Sequence, residues 1–108
     1  MTTPFVAQLR SRADEIRLGT GEEPVITLRV QVAEAWDTVR IDAPPETPVA
    51  EVKRRALAVL APDSRHHEDW VTKLNGWVVW DEWQSVTKAG AQSGSTFLLH
   101  RRRRQPVR

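Results

Sequence analysis

Three groups of side chains in this chain have chemistry worth weighing. His66, His67, Glu68 and Asp69 stand in a row. Adjacent residues cannot easily converge on one ion, and no His pair is spaced four apart, so the run reads as a polar loop rather than a metal site. Arg101, Arg102, Arg103 and Arg104 form a cationic block suited to phosphate or carboxylate partners. No aromatic residue is interleaved with them, which argues against base stacking. Trp77, Trp80 and Trp83 lie within seven residues. Along a strand Trp77 and Trp83 share a face and Trp80 takes the other, so all three cannot enter one core. Trp36 and Trp70 complete the set, of which one or two are expected to fill the core. At least one is expected at the surface, where Trp anchors contacts, which makes the 76–83 hairpin a candidate partner-binding face.

Nothing else reads as a reaction centre. The chain has no phosphate loop, no nucleophile elbow and no Ser, His and Asp spacing that argues a triad. Zero Cys excludes disulfides, thiol catalysis and thiolate metal sites. The expectation is a non-enzyme without cofactor. Cysteine absence also fits a reducing cytoplasm, as does a start, MTTPFVAQLR, without a secretory pattern. No apolar run approaches the roughly 20 residues of a membrane span.

Charge is divided unevenly. Residues 1–100 carry 11 Lys/Arg and 14 Asp/Glu, a net of −3, whereas residues 101–108 carry five Arg and no acid, a net of +5. The basicity is therefore a local arm, not a general surface. At 108 residues, 40% of them hydrophobic, the chain suits one soluble domain.

The elements that must position these groups are readable in outline. Phe5, Leu9, Ala13 and Ile16 recur at helical spacing, with Thr3 and Pro4 suited to a helix start, so 4–18 is expected to be an amphipathic helix. Gly19 and Gly21 mark a linker to residue 24. Ile26, Leu28, Val30 and Val32 alternate with polar residues, and Val39 and Ile41 repeat the pattern within 36–42, which predicts a hairpin. Thr47 and Pro48 suit a helix start, Val49, Val52, Ala56, Val59 and Leu60 form its apolar stripe, and Pro62 stops it. Lys53, Arg54 and Arg55 fall mostly off that stripe. Trp70–Leu74 and Trp77–Trp80 read as strands around the tight turn Asn75-Gly76. Thr96–His100 is a last strand with Phe97 and Leu99 inward. An unpaired edge of that length is unfavourable, so the first strand is expected to pair in parallel with the last.

Strand, strand, helix, strand, short strand, strand is the order of an α+β roll, the β-grasp. In detail the chain resembles the ubiquitin-like superfamily over residues 25–104. Ser85-Val86 opening a short turn, and Ser95-Thr96 opening the last strand, are similar to the family's pre-terminal pattern, which implies that Val86 plugs the core. Leu74-Asn75-Gly76 resembles the turn between the family's third and fourth strands. Thr47-Pro48-Val49-Ala50-Glu51-Val52-Lys53 resembles its Thr-led helix start. The expected organisation is an N-terminal helix and linker over 1–24, a β-grasp domain over 25–100 and a basic tail over 101–108.

The resemblance breaks where the family's conjugating members do their chemistry. In the register of Ser95-Thr96, Gln105 and Pro106 occupy the place of the terminal diglycine. An activating enzyme's channel admits glycine there, and Pro106 has no N–H and a fixed backbone angle. Conjugation and sulfur carriage are disfavoured. The family's apolar recognition patch, an isoleucine on the third strand and a valine late in the last, falls near Lys73 and His100. Receptors that read the apolar patch would meet a charged side chain there instead. The expectation is a protein-interaction module without conjugation, its partner face formed by Trp77, Trp80 and Trp83 from the Trp pattern together with Lys73 and His100. The composition, rich in Arg, Ala and Val, is similar to that of high-GC bacteria. The bacterial ubiquitin-like accessory proteins of type VII secretion systems lack a usable diglycine too, which implies an accessory role in a secretion or other multiprotein system. The competing reading is nucleic-acid contact through Arg101–Arg104.

Overall fold

The computed structural model describes residues 15–33, 37–64 and 66–101. Its elements are β1 (Glu15–Arg17), β2 (Ile26–Val32), β3 (Asp37–Ala43), α1 (Val49–Leu60), a 3₁₀ turn (His67–Asp69), β4 (Trp70–Leu74), β5 (Trp77–Val78) and β6 (Thr96–Arg101). The strands form one mixed sheet in the order β1-β3-β2-β6-β4-β5. As the alternation predicts, β2 and β3 form a hairpin, and β2 pairs in parallel with β6. This is the α+β ubiquitin-like β-grasp roll.

Register explains the core. Val39 faces Val30, Val30 faces Phe97 and Phe97 faces Leu74, so one inward row crosses four strands. Val32, Leu99 and Thr72 make the next row. α1 covers these rows with Val49, Val52, Ala56 and Leu57, all buried. Each fully buried aliphatic side chain contributes about 1.5–3 kcal/mol. Val86 is fully buried as the family pattern implied. Asn75 and Gly76 take φ of 54° and 85°, the left-handed pair that a two-residue hairpin turn requires.

Several expectations need correction. Residues 4–14 of the expected N-terminal helix lie outside the described residues, but its last turn is strand. Glu15–Arg17 pair in parallel with Arg40–Asp42 at the sheet edge. There Ile16 packs against the core, and Leu18, its N–H donating to the Asp42 carbonyl (2.8 Å), is buried. β1 thus belongs to the same sheet, and β6 runs through Arg101. Thr47 is not the N-cap; Pro48 is, and no side chain caps the helix. The orphan N–H groups of Val49 and Ala50 donate instead to the backbone carbonyls of Gln84 (3.0 Å) and Glu82 (2.6 Å). In return Val86 donates to the Thr47 carbonyl (2.8 Å), so helix start and distant loop cap each other. The apolar stripe includes Leu57, whereas Val59 is only half-buried. Lys53, expected off the stripe, is buried on it.

Candidate docking surface

The surface is built by the segment that follows β5. That strand ends at Val78, and the next residue, Val79, turns inward and donates its N–H to the Thr72 carbonyl (2.8 Å). With the strand interrupted, the expected alternation of Trp77, Trp80 and Trp83 never operates. All three are exposed, at 78%, 85% and 80%. Asp81 Oδ1 accepts the Trp83 N–H (3.1 Å), closing an Asx turn between the last two.

A buried lysine ties the segment down. Lys53 Nζ donates to the Trp70 carbonyl (2.6 Å) and to both Glu82 carboxylate oxygens (3.0 and 3.2 Å). One ammonium thus satisfies a β4 carbonyl that β5 is too short to pair, and neutralises the acid between Trp80 and Trp83. With the Glu82 carbonyl capping α1, this residue is held at both ends.

Trp70 takes the core role in this neighbourhood. It is buried, its Nε1–H donates to Ser64 Oγ (2.9 Å), and the Arg101 guanidinium lies 5.5 Å from its ring centroid. Trp36 lies outside the described residues.

The predicted contact residues are brought together only in part. Lys73 faces Leu98 on β6 and Val78 on β5, and His100 faces Val71, all on the outer side of the sheet. His100 Nε2 is buried without a hydrogen-bond partner. Lys73, His100 and Trp80 line one hollow of about 610 Å³ together with Trp70 and Glu68. Trp77 and Trp80 share a second hollow beside the Asn75 turn. Trp83 belongs to a third, against Glu51 and Arg54 on α1. Those two are paired at 2.6 Å, and the hydrogen bond to Glu51 raises the Arg54 pKa above its ordinary value. Arg101 is exposed, and Arg102, Arg103 and Arg104 lie outside the described residues.

Sequence reasoning missed Val71 and Leu98, although the strict alternation of β4 and β6 was enough to place them beside Lys73 and His100. It also missed Lys53 and Glu82, for which no local signal exists. At the far sheet edge Arg40 bridges Glu15 (3.7 Å) and Asp42 (3.2 Å). Burial opposes ionisation of Asp42, but hydrogen bonds from Arg40 and Thr27 outweigh it and hold the carboxyl below its ordinary pKa. Among the described residues no group of three acidic, His or Cys side chains could hold a metal, and no helix is long and apolar enough to cross a membrane.

No family model matches the sequence, and no curated protein matches it. Solved structures do match. The C-terminal ubiquitin-like domain of mouse tubulin-specific chaperone e superposes with a TM-score of 0.63 at 13% identity, covering 82% of this chain and 100% of that one. An Arabidopsis thaliana ubiquitin-like domain gives 0.63 at 9% identity, over 83% and 90% of the two chains. The Caldiarchaeum subterraneum ubiquitin gives 0.62 at 13% identity, over 76% and 99%. The chain has the ubiquitin-like β-grasp fold.

Proposed function

We propose that the chain is a non-conjugating interaction module that docks a protein partner on Trp77, Trp80 and Trp83, as an accessory component of a bacterial secretion or other multiprotein system. The observation that carries this reading is the near-complete exposure of all three indoles. Exposed apolar surface on this scale marks interaction sites, and buried Trp dominates the energy of many interfaces. The surrounding scaffold is held without the indoles, through Lys53, Glu82 and the helix cap, so the rings are available for contact. Gln105 and Pro106 in the diglycine position support contact over conjugation.

The test is affinity capture with the full chain as wild type and as Trp77→Ala, Trp80→Ala and Trp83→Ala. Each variant is expected to keep the wild-type circular dichroism. At least one is expected to weaken the recovered partner by about 2 kcal/mol, near 30-fold. A triple variant that retains the same partner at the same affinity would remove the reading. The second reading, polyanion contact, draws on the +5 charge of residues 101–108. It requires DNA binding that falls steeply with salt and is lost when the arginines are replaced.

A further inference from the structure

The hollows along the Trp segment differ in charge. The one that Trp83 borders is lined by Lys53 and Arg54, and the one that Lys73 and His100 border contains Lys53 as well. The carboxylates in both have basic partners: Arg54 for Glu51, Lys53 for Glu82 and His66 for Glu68. The hollow of about 400 Å³ that Trp77 and Trp80 share is different. Asp81 is the one ionisable residue in its lining, and among the described residues no cation lies within ion-pair distance of it. Asp81 Oδ1 holds the Trp83 N–H, whereas Oδ2 accepts no hydrogen bond from the described residues. Asn75 and Gln84 also line the hollow and carry neutral acceptor oxygens. The body of the chain, residues 1–100, has a net charge of −3 from 11 Lys/Arg and 14 Asp/Glu.

We propose, resting on the Trp segment as the docking face, that its Trp77–Trp80 hollow takes an arginine side chain of the partner, the guanidinium stacked on the indoles and paired with the Asp81 carboxylate. Indole attracts cations more strongly than the other aromatic rings, and guanidinium is the cation most often found on it. Being planar and weakly hydrated, guanidinium stacks on a ring and still donates its fork to a carboxylate. An apolar side chain would suit the indoles but would strip water from Asp81 and leave its charge unpaired, which is costly. A nucleic-acid base would bring phosphates toward that carboxylate and an acidic body. A cationic side chain gains from the indoles and the carboxylate together. The hollow has the volume of a small-ligand site, enough for one long side chain.

The probe is a short end-blocked peptide with one arginine flanked by glycines, titrated into the isotope-labelled full chain. The control is the same peptide with citrulline, which keeps the shape and lacks the charge. The Trp77 and Trp80 indole N–H signals are expected to shift saturably at about millimolar peptide, with the Trp83 signal unmoved. Citrulline is expected to bind about tenfold more weakly, and Trp77→Ala to weaken arginine binding about tenfold. Asp81→Asn keeps the oxygen that accepts the Trp83 N–H; it is expected to weaken arginine binding about threefold and to leave citrulline binding unchanged. Equal binding of the two peptides would overturn the proposal, as would an Asp81→Asn variant that binds arginine as wild type does, or shifts that move Trp83 and spare Trp77. Shifts of Trp77 and Trp80 that depend on protein concentration without peptide would give the hollow to a second copy and overturn the assignment to a partner. If no peptide binds while the capture test still loses its partner with the indoles, the docking face stands and the arginine assignment falls.

Discussion

Strands β2 and β3 and the segment from Trp77 to Ser85 are both rich in apolar residues, and the fold treats them oppositely. In the hairpin, Leu28, Val30, Val39 and Ile41 reach zero exposure, because strict alternation aims them at the sheet face that α1 covers. In the later segment the strand stops after two residues, and three larger side chains face water. The hairpin is held by its side chains. The Trp segment is held by backbone hydrogen bonds and one buried ammonium. Apolar character alone therefore does not decide burial; the backbone path does.

The comparison breaks most clearly if truncations in the two regions cost the same. Leu28→Ala is expected to lose about 3 kcal/mol of unfolding free energy, read from urea melts, because it empties a fully buried site. Next is Lys53→Met, expected to lose about 2 kcal/mol. It leaves the Trp70 carbonyl and Glu82 without their shared donor. The added variant Glu82→Gln should then cost less in the Lys53→Met background than alone, since the two act as one pair. An additive cycle would show that the tie is not what holds the Trp segment. Ser64→Ala, which removes the acceptor of the buried Trp70 indole, is expected to cost about 1 kcal/mol.

Asp42 gives a smaller, pH-dependent effect. Its carboxyl is held below the ordinary value, so its contribution is complete above an unfolded pKa of about 3.9 and disappears as pH falls through the lower folded value. The stability gap between wild type and Asp42→Asn should be constant near neutrality and close on acidification, by less than about 1 kcal/mol for this surface pair. A gap that widens with acid would reverse the assignment. The smallest effect is Trp80→Ala, expected to shift stability by no more than about 0.5 kcal/mol. A large loss there would place the indole in the structural class of Trp70.

Much of the fold was legible in short-range pattern. Period-two alternation placed Leu28, Val30, Val39, Ile41, Phe97 and Leu99 inward, and Asn75-Gly76 specified its turn. These signals need only neighbours in sequence. β1 was misread because three residues carry too little periodicity to distinguish strand from the end of a helix. Its conformation follows from an open edge of β3 more than twenty residues away. The helix cap was misread for a related reason: Thr47 has a capping side chain, but the loop at 82–84 supplies carbonyls first.

By itself the sequence determined the β-grasp order, the inward faces of β2, β3 and β6, the division of charge between body and tail, and the absence of a diglycine. Those properties depend on residue type and local spacing. Only the tertiary structure decided which Trp is core and which three are surface, and that Lys53 is buried. Its acceptors lie 17 and 29 residues away, beyond any local pattern. A charge and an indole are buried or exposed according to which partners the folded chain brings within hydrogen-bond reach, and that distance is set by the packing of the whole sheet on α1.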